Sequence, residues 1–174
     1  MTYRIEIPLA LSSNQLSFIE AMVNDVYEES EKLFWKKNHQ RTSVAHLKKH
    51  LKYSELIVAF ADEEIAACVV IRNVDASTCI FQMLTANPNY KGKGLGSLML
   101  AEVEEEARRR GAHTMRLELL EPLDQVIQDK VFLDSWYRKV GYAPVKRCSI
   151  DDIHQGESEN LAIACDVVVY EKAL

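Results

Sequence analysis

Lys91, Gly92, Lys93, Gly94, Leu95, Gly96 and Ser97 form a basic, glycine-rich run in the segment Asn87-Pro88-Asn89-Tyr90-Lys91-Gly92-Lys93-Gly94-Leu95-Gly96-Ser97. An apolar run, Ile80 to Leu84, precedes it, and a helical pattern ending at Arg110 follows. Glycines let backbone N–H groups approach an anion closely, because no Cβ intervenes. The first-turn amides of the following helix point unpaired donors the same way. A strand, a glycine turn and a helix start therefore suit a phosphate group. The spacing excludes two common versions of this site. A dinucleotide fingerprint needs GxGxxG, and here the third glycine comes one residue early; the P-loop string GxxxxGK[ST] is absent. The bland alternative is a plain strand-to-helix turn.

The elements that must hold this turn follow from hydrophobic period. Residues 3–9 read as a short strand, and Leu16, Ile19, Val23 and Val26 share a helical face with Ser12, Ser13 or Asn14 as cap. Thr42 or Ser43 caps a second helix carrying Val44, Leu47 and Leu51. Leu56–Phe60 and Ile65–Ile71 read as a hairpin around Asp62-Glu63-Glu64, and Ser77–Leu84 as a third strand. The long helix after the glycines places Leu95, Leu98, Met99, Val103 and Ala107 on one face, Glu102, Glu105, Arg108 and Arg109 on the other, and stops at Gly111. Met115–Leu120 is a strand and 121–129 a polar loop. A shorter helix presents Phe132, Trp136 and Val140, and Val145–Ile150 and Leu161–Val169 are the last strands, separated by the acidic loop Asp151–Glu157. The order β-α-α-β-β-β-α-β-α-β-β, without repeat or linker, predicts one α/β domain over residues 1–174.

Composition narrows the function classes. A net charge of −5 argues against a dedicated nucleic-acid binder. No apolar run approaches the roughly 20 residues needed to cross a bilayer, and the N-terminus does not read as a secretory signal. Cys68, Cys79, Cys148 and Cys165 contain no CxxC pair, which points to reduced thiols in a cytoplasmic protein. His46 and His50 sit i,i+4 beside Lys48 and Lys49 without an HExxH pattern, so a solvated face is expected there and no metal.

The segment Leu84 to Leu100 resembles the acyl-coenzyme A site of the GNAT N-acetyltransferase superfamily, whose signature is a strand, a proline, then [Q/R]-x-x-G-x-[G/A] opening a helix. Lys91 stands at the Gln/Arg position, with Gly94 and Gly96 at the small positions. Lysine keeps the charge but loses the planar fork of arginine. Trp136-Tyr137-Arg138-Lys139-Val140-Gly141-Tyr142 is similar to the family's second signature, a helix ending in Tyr-x-x-x-Gly-aromatic. The resemblance implies an α/β fold with a central mixed, mostly antiparallel sheet flanked by helices.

It also implies a donor site for acetyl-coenzyme A. The pyrophosphate would lie on Lys91, Gly92, Lys93, Gly94, Leu95, Gly96 and Ser97, and the pantetheine arm along the strand edge Met83 to Ala86, with the Leu84 N–H polarising the thioester carbonyl. Lys130 falls where relatives carry an asparagine that bonds the cofactor arm; it would reach a cofactor oxygen instead, or point to solvent. Tyr137 occupies the position of the family's general-acid tyrosine. Relatives place a glutamate base on the strand before the glycine turn, where this chain has Gln82, so Glu118 is the leading candidate base and Glu121 the next. The loop between the first two helices would line the acceptor cleft, with Tyr27, Phe34 and Trp35 as exposed aromatics beside Glu28, Glu29 and Glu31, suited to an amine. The expected activity is acetyl transfer to a primary amine of a small molecule or peptide by direct attack. A non-catalytic acyl-coenzyme A binding module is the alternative, and an ATP-binding protein ranks below both. No nucleic acid or membrane partner is expected, and a homodimer is left open.

Overall fold

The structure, a computed structural model, describes residues 2–174. Its seven strands form one sheet in the order β1-β2-β3-β4-β5-β7-β6. The strands are β1 (Arg4–Glu6), β2 (Leu56–Ala61), β3 (Glu64–Asn73), β4 (Thr78–Ala86), β5 (Thr114–Pro122), β6 (Ala143–Ser149) and β7 (Cys165–Ala173). The helices are α1 (Ser13–Glu31), α2 (Val44–Lys52), α3 (Leu95–Arg109) and α4 (Gln128–Lys139). Every neighbouring pair is antiparallel except β4 with β5. This is the mixed, mostly antiparallel α/β sheet the sequence predicts, in the predicted element order.

Caps fix the helix starts. Ser12 forms a capping box with Gln15 at the head of α1, and the Ser43 hydroxyl accepts the His46 N–H at the head of α2. One face of the sheet packs against α3 and α4 around Ile71, Phe81, Met99, Val103, Leu117 and Tyr170. The other carries two separate cores. One lies under α1 and α2, with Leu16, Ile19, Val23, Leu47, Val58 and Met83. The second lies at the β5–β7 end, with Phe34, Leu120, Ile150, Val167 and Val169.

Several boundaries differ from the sequence reading. Leu98 is exposed and Leu100 takes its place in the core, while Phe132 points outward and Leu133, Trp136 and Val140 pack inward. A 3.6-residue period puts Leu98 on the far side of α3 from the stripe of Leu95, Met99, Val103 and Ala107, while Leu100 falls next to Ala107 within that stripe. Residues 161–164 lie outside β7, held by a bridge from Trp35 to Leu161 and by the Leu123 N–H bond to Ala164 O. Glu28, Glu29 and Glu31 belong to the last turn of α1 and not to the following loop.

The feature that matters most for function is an irregularity in β4. Gln82 pairs opposite Val70 and Thr85 opposite Cys68, so β4 spends one more residue than β3 over the same span. Cys79 and Phe81 belong to the α3 face, Met83 turns to the α1 face, and Leu84 and Ala86 return to the α3 side. Met83 has φ of +53°, rare for a residue with a side chain. This is a β-bulge, which bends and twists its strand. Pairing of β4 with β5 extends only over Thr78–Ile80 against Thr114–Arg116. Beyond that the two strands separate, and a gap opens through the sheet.

Candidate active site

The gap holds a cavity of about 340 Å³ lined from both faces of the sheet. Gln82, Met83 and Leu84 of β4 form one wall and Leu117 to Leu120 of β5 the other; Tyr27 and Glu31 of α1 enter from one face, and Leu133 and Tyr137 of α4 from the other. Glu118 alternates with Leu117 and Leu119, which are buried on the α3–α4 face, so its carboxylate projects into the gap. Its Oε2 lies 2.6 Å from Nε2 of His154. His154 comes from the segment between β6 and β7, read from sequence only as part of an acidic loop. Nothing local marks it, because its partner is 36 residues away and the contact exists only once β5 and that segment meet. Glu121, the second candidate base, is paired with Arg147 and does not line the cavity.

Tyr137 is buried against Phe81, Trp136, Tyr142 and Tyr170. Burial, reinforced by Tyr27, raises its hydroxyl above the ordinary tyrosine range, so Tyr137 stays protonated at neutral pH. Tyr27 is raised as well, chiefly by burial. Lys130 does not point to solvent. Its ammonium lies 2.5 Å from Glu31 Oε1 and 5.0 Å from the Phe34 ring centroid, and it lines the cavity. Phe34 is fully buried beneath it, so the expectation of an exposed aromatic fails there. The chain folds it inward because its carbonyl accepts the Ala162 N–H at 2.7 Å, tying the α1–α2 loop to the β6–β7 segment. Trp35 is partly exposed, donates its indole N–H to Glu31 Oε2 at 2.9 Å, and stacks on His39 at 3.9 Å. Tyr27 and Trp35 also line a second, outer groove of about 540 Å³ that runs along α1 to Arg41.

The glycine turn lies at the end of β4. Asn87 anchors it, its N–H bonding Ala66 O at 2.8 Å and its side chain bonding Ile65 O and the Asn89 N–H. Tyr90 closes a single 3₁₀ turn and donates its hydroxyl to Glu64 at 2.8 Å. Gly92 and Gly94 have φ of +77° and +73°, and a Cβ added at either would meet nothing within 4 Å. Gly94 is the N-cap of α3 and supplies no side-chain cap bond to the first-turn N–H groups. Lys91, Lys93 and Ser97 are exposed beside them.

A protein-family model described as the acetyltransferase (GNAT) family matches residues 20–128. The chain belongs to the GNAT acetyltransferase family. The match spans α1 through the glycine turn and β5 into the start of α4. No match is found among curated proteins. Among solved structures, the chain is similar to PaiA N-acetyltransferase from Thermoplasma acidophilum in complex with coenzyme A, with TM-score 0.70 and 18% identity over 100% of both chains. It is similar to ribosomal-protein-alanine N-acetyltransferase from Brucella melitensis, with TM-score 0.67 and 16% identity over 100% of both chains. It also matches N-acetylglutamate synthase from Neisseria gonorrhoeae complexed with coenzyme A and N-acetyl-glutamate, with TM-score 0.68 and 16% identity; all of this chain aligns, but it spans only 35% of that one. Identities this low speak for the fold.

The residues present fit the coenzyme A expected of a GNAT protein. The unfilled space over Gly92 and Gly94 and the uncapped start of α3 suit a pyrophosphate. The bulge leaves the β4 edge from Met83 to Ala86 without a β5 partner, which suits an extended arm that bonds like a strand.

Proposed function

We propose that this GNAT protein is an acetyl-coenzyme A-dependent N-acetyltransferase that moves an acetyl group to a primary amine of a small molecule or peptide by direct attack, residues 1–174 acting as one domain. The observation that carries this reading is the gap between β5 and β4, the strand that runs into the glycine turn: it holds a cavity faced by Glu118, His154 and Tyr137. Acetyl-coenzyme A, when bound, supplies the acetyl group as a thioester with a good leaving thiolate. Lys91 to Ser97 would hold its phosphates and the edge Met83 to Ala86 its arm. Glu118 takes a proton from the incoming ammonium at Oε1, and His154, hydrogen-bonded at Oε2, orients that carboxylate. Tyr137 holds a proton at its hydroxyl for the departing sulfur. The Leu84 N–H is the donor placed to polarise a carbonyl oxygen in the gap. Lys130 and Glu31 neutralise each other and brace α1 against α4 at the cavity wall.

Steady-state kinetics of Glu118→Gln, His154→Ala and Tyr137→Phe test these roles. Glu118→Gln should lower kcat by about 100-fold or more, and His154→Ala should lower it by a smaller factor. Unchanged kcat in both variants would remove the pair from the mechanism. Gln82 supports a second reading. It lines the cavity where relatives carry a carboxylate and cannot accept a proton, as suits a non-catalytic acyl-coenzyme A binding module. Coenzyme A binding with no thiol release over an amine panel would favour that module.

A further inference from the structure

Arg41 is a strong cation in this site. It belongs to the α1–α2 loop and lines both the cavity and the outer groove. Its guanidinium lies 5.2 Å from the Tyr27 ring centroid. Its Nε is buried without a hydrogen-bond partner, as is Oγ1 of the adjacent Thr42. A guanidinium is always charged, and orphaned buried donors in a folded protein call for an explanation such as a missing ligand. Two acids of the cavity are already engaged, and Asp129 there and Asp25 and Glu28 of the outer groove form no ion pair with Arg41 among the described residues. Glu31 gives Oε1 to Lys130 and Oε2 to Trp35, and Glu118 is held by His154. Among the described residues Arg41 forms no ion pair.

We infer that Arg41 binds a carboxylate on the acceptor, so that the substrate is an amino acid or a similarly small amino-carboxylate and not a polyamine or aminoglycoside. The guanidinium fork matches a carboxylate bidentately. Glu118 lines the same cavity and would repel a doubly charged phosphate more than a singly charged carboxylate, whereas a zwitterion brings its own positive end to Glu118. A cavity of about 340 Å³ suits a small acceptor. This inference rests on the transfer reading above for which end of the acceptor reacts, but its binding claim can be measured alone.

The experiment is isothermal titration of the coenzyme A-loaded protein with the free amino acids, their carboxamides and spermidine, in parallel with turnover from acetyl-coenzyme A. At least one free amino acid should bind about tenfold or more tightly than its carboxamide. Arg41→Gln should abolish that ratio and Arg41→Lys retain part of it. Equal binding of acids and carboxamides, no binding by any amino acid, spermidine as the tightest acceptor, or a ratio that survives Arg41→Gln would each overturn the inference. Should Arg41→Gln not fold, the wild-type ratio and Arg41→Lys still decide. Arg41-dependent acid binding without turnover would sink the transfer reading and leave the carboxylate site standing; turnover that ignores the carboxylate would do the reverse.

Discussion

Tyr137 can serve as an acid because its surroundings hold its proton. Burial is the first cause and Tyr27 the second. Since the shift is upward, the neutral form persists through about pH 10, where an ordinary tyrosine is half ionised. Turnover should therefore hold its plateau through that pH, as followed by thiol release; a falling alkaline limb below it would argue against Tyr137 as the donor. Tyr137→Phe should lower kcat by about 100-fold with coenzyme A affinity nearly unchanged. The cysteines behave differently from one another. Burial pushes Cys68 up to about 12 and Cys165 up to about 11, and also raises Cys79. Alkylation of the native protein at neutral pH should label Cys148 first, as read by peptide mass spectrometry. Tyr137, part of the cavity wall, stands out in the sequence by its place before Gly141 and Tyr142; His154 does not, because its contact with Glu118 is made only in three dimensions.

Between elements, the decisive device is the extra residue at Met83. Alternation of side chains predicts a strand there but not a bulge, and only the register against Val70 and Cys68 exposes it. The glycine turn was legible because its conformation depends on residues within a few positions. Gly94→Glu places a side chain into the space over the turn and forces it onto φ of +73°. It should abolish the rise in Tm on adding coenzyme A; persistence of that rise would misplace the site. The Lys130–Glu31 pair joins α4 to α1 across 99 residues. Both partners are nearly inaccessible, so removing one strands the other. Lys130→Ala should cost about 3–5 kcal/mol in urea denaturation, and Glu31→Gln with Lys130→Met should recover part of that loss. The sequence left Lys130 between cofactor and solvent; the alignment of two helices turns it from solvent onto Glu31 at the cavity wall.

Across the whole molecule, buried tyrosines couple stability to alkali. Tyr137, Tyr142 and Tyr170 are all raised, in each case with burial as the first cause. Their stabilising contribution is complete below the unfolded tyrosine value of about 10 and is lost as pH rises beyond it toward the folded values. Urea midpoints should fall steadily above about pH 10. Element order and sheet class were legible end to end, because periodicity and caps are local. The paired faces of the cavity were not, because they are joined by the separation of β4 from β5, which local patterns do not encode. That separation is what opens a cavity through the sheet here. The most direct test incubates the wild-type protein with acetyl-coenzyme A and an equimolar panel of amines and follows the products by mass spectrometry, with Tyr137→Phe and Glu118→Gln alongside. The expected result is one acetylated class of amine, formed with stoichiometric coenzyme A and strongly reduced in both variants. Tight coenzyme A binding with no acetylated amine, or equal product from all three proteins, would contradict it.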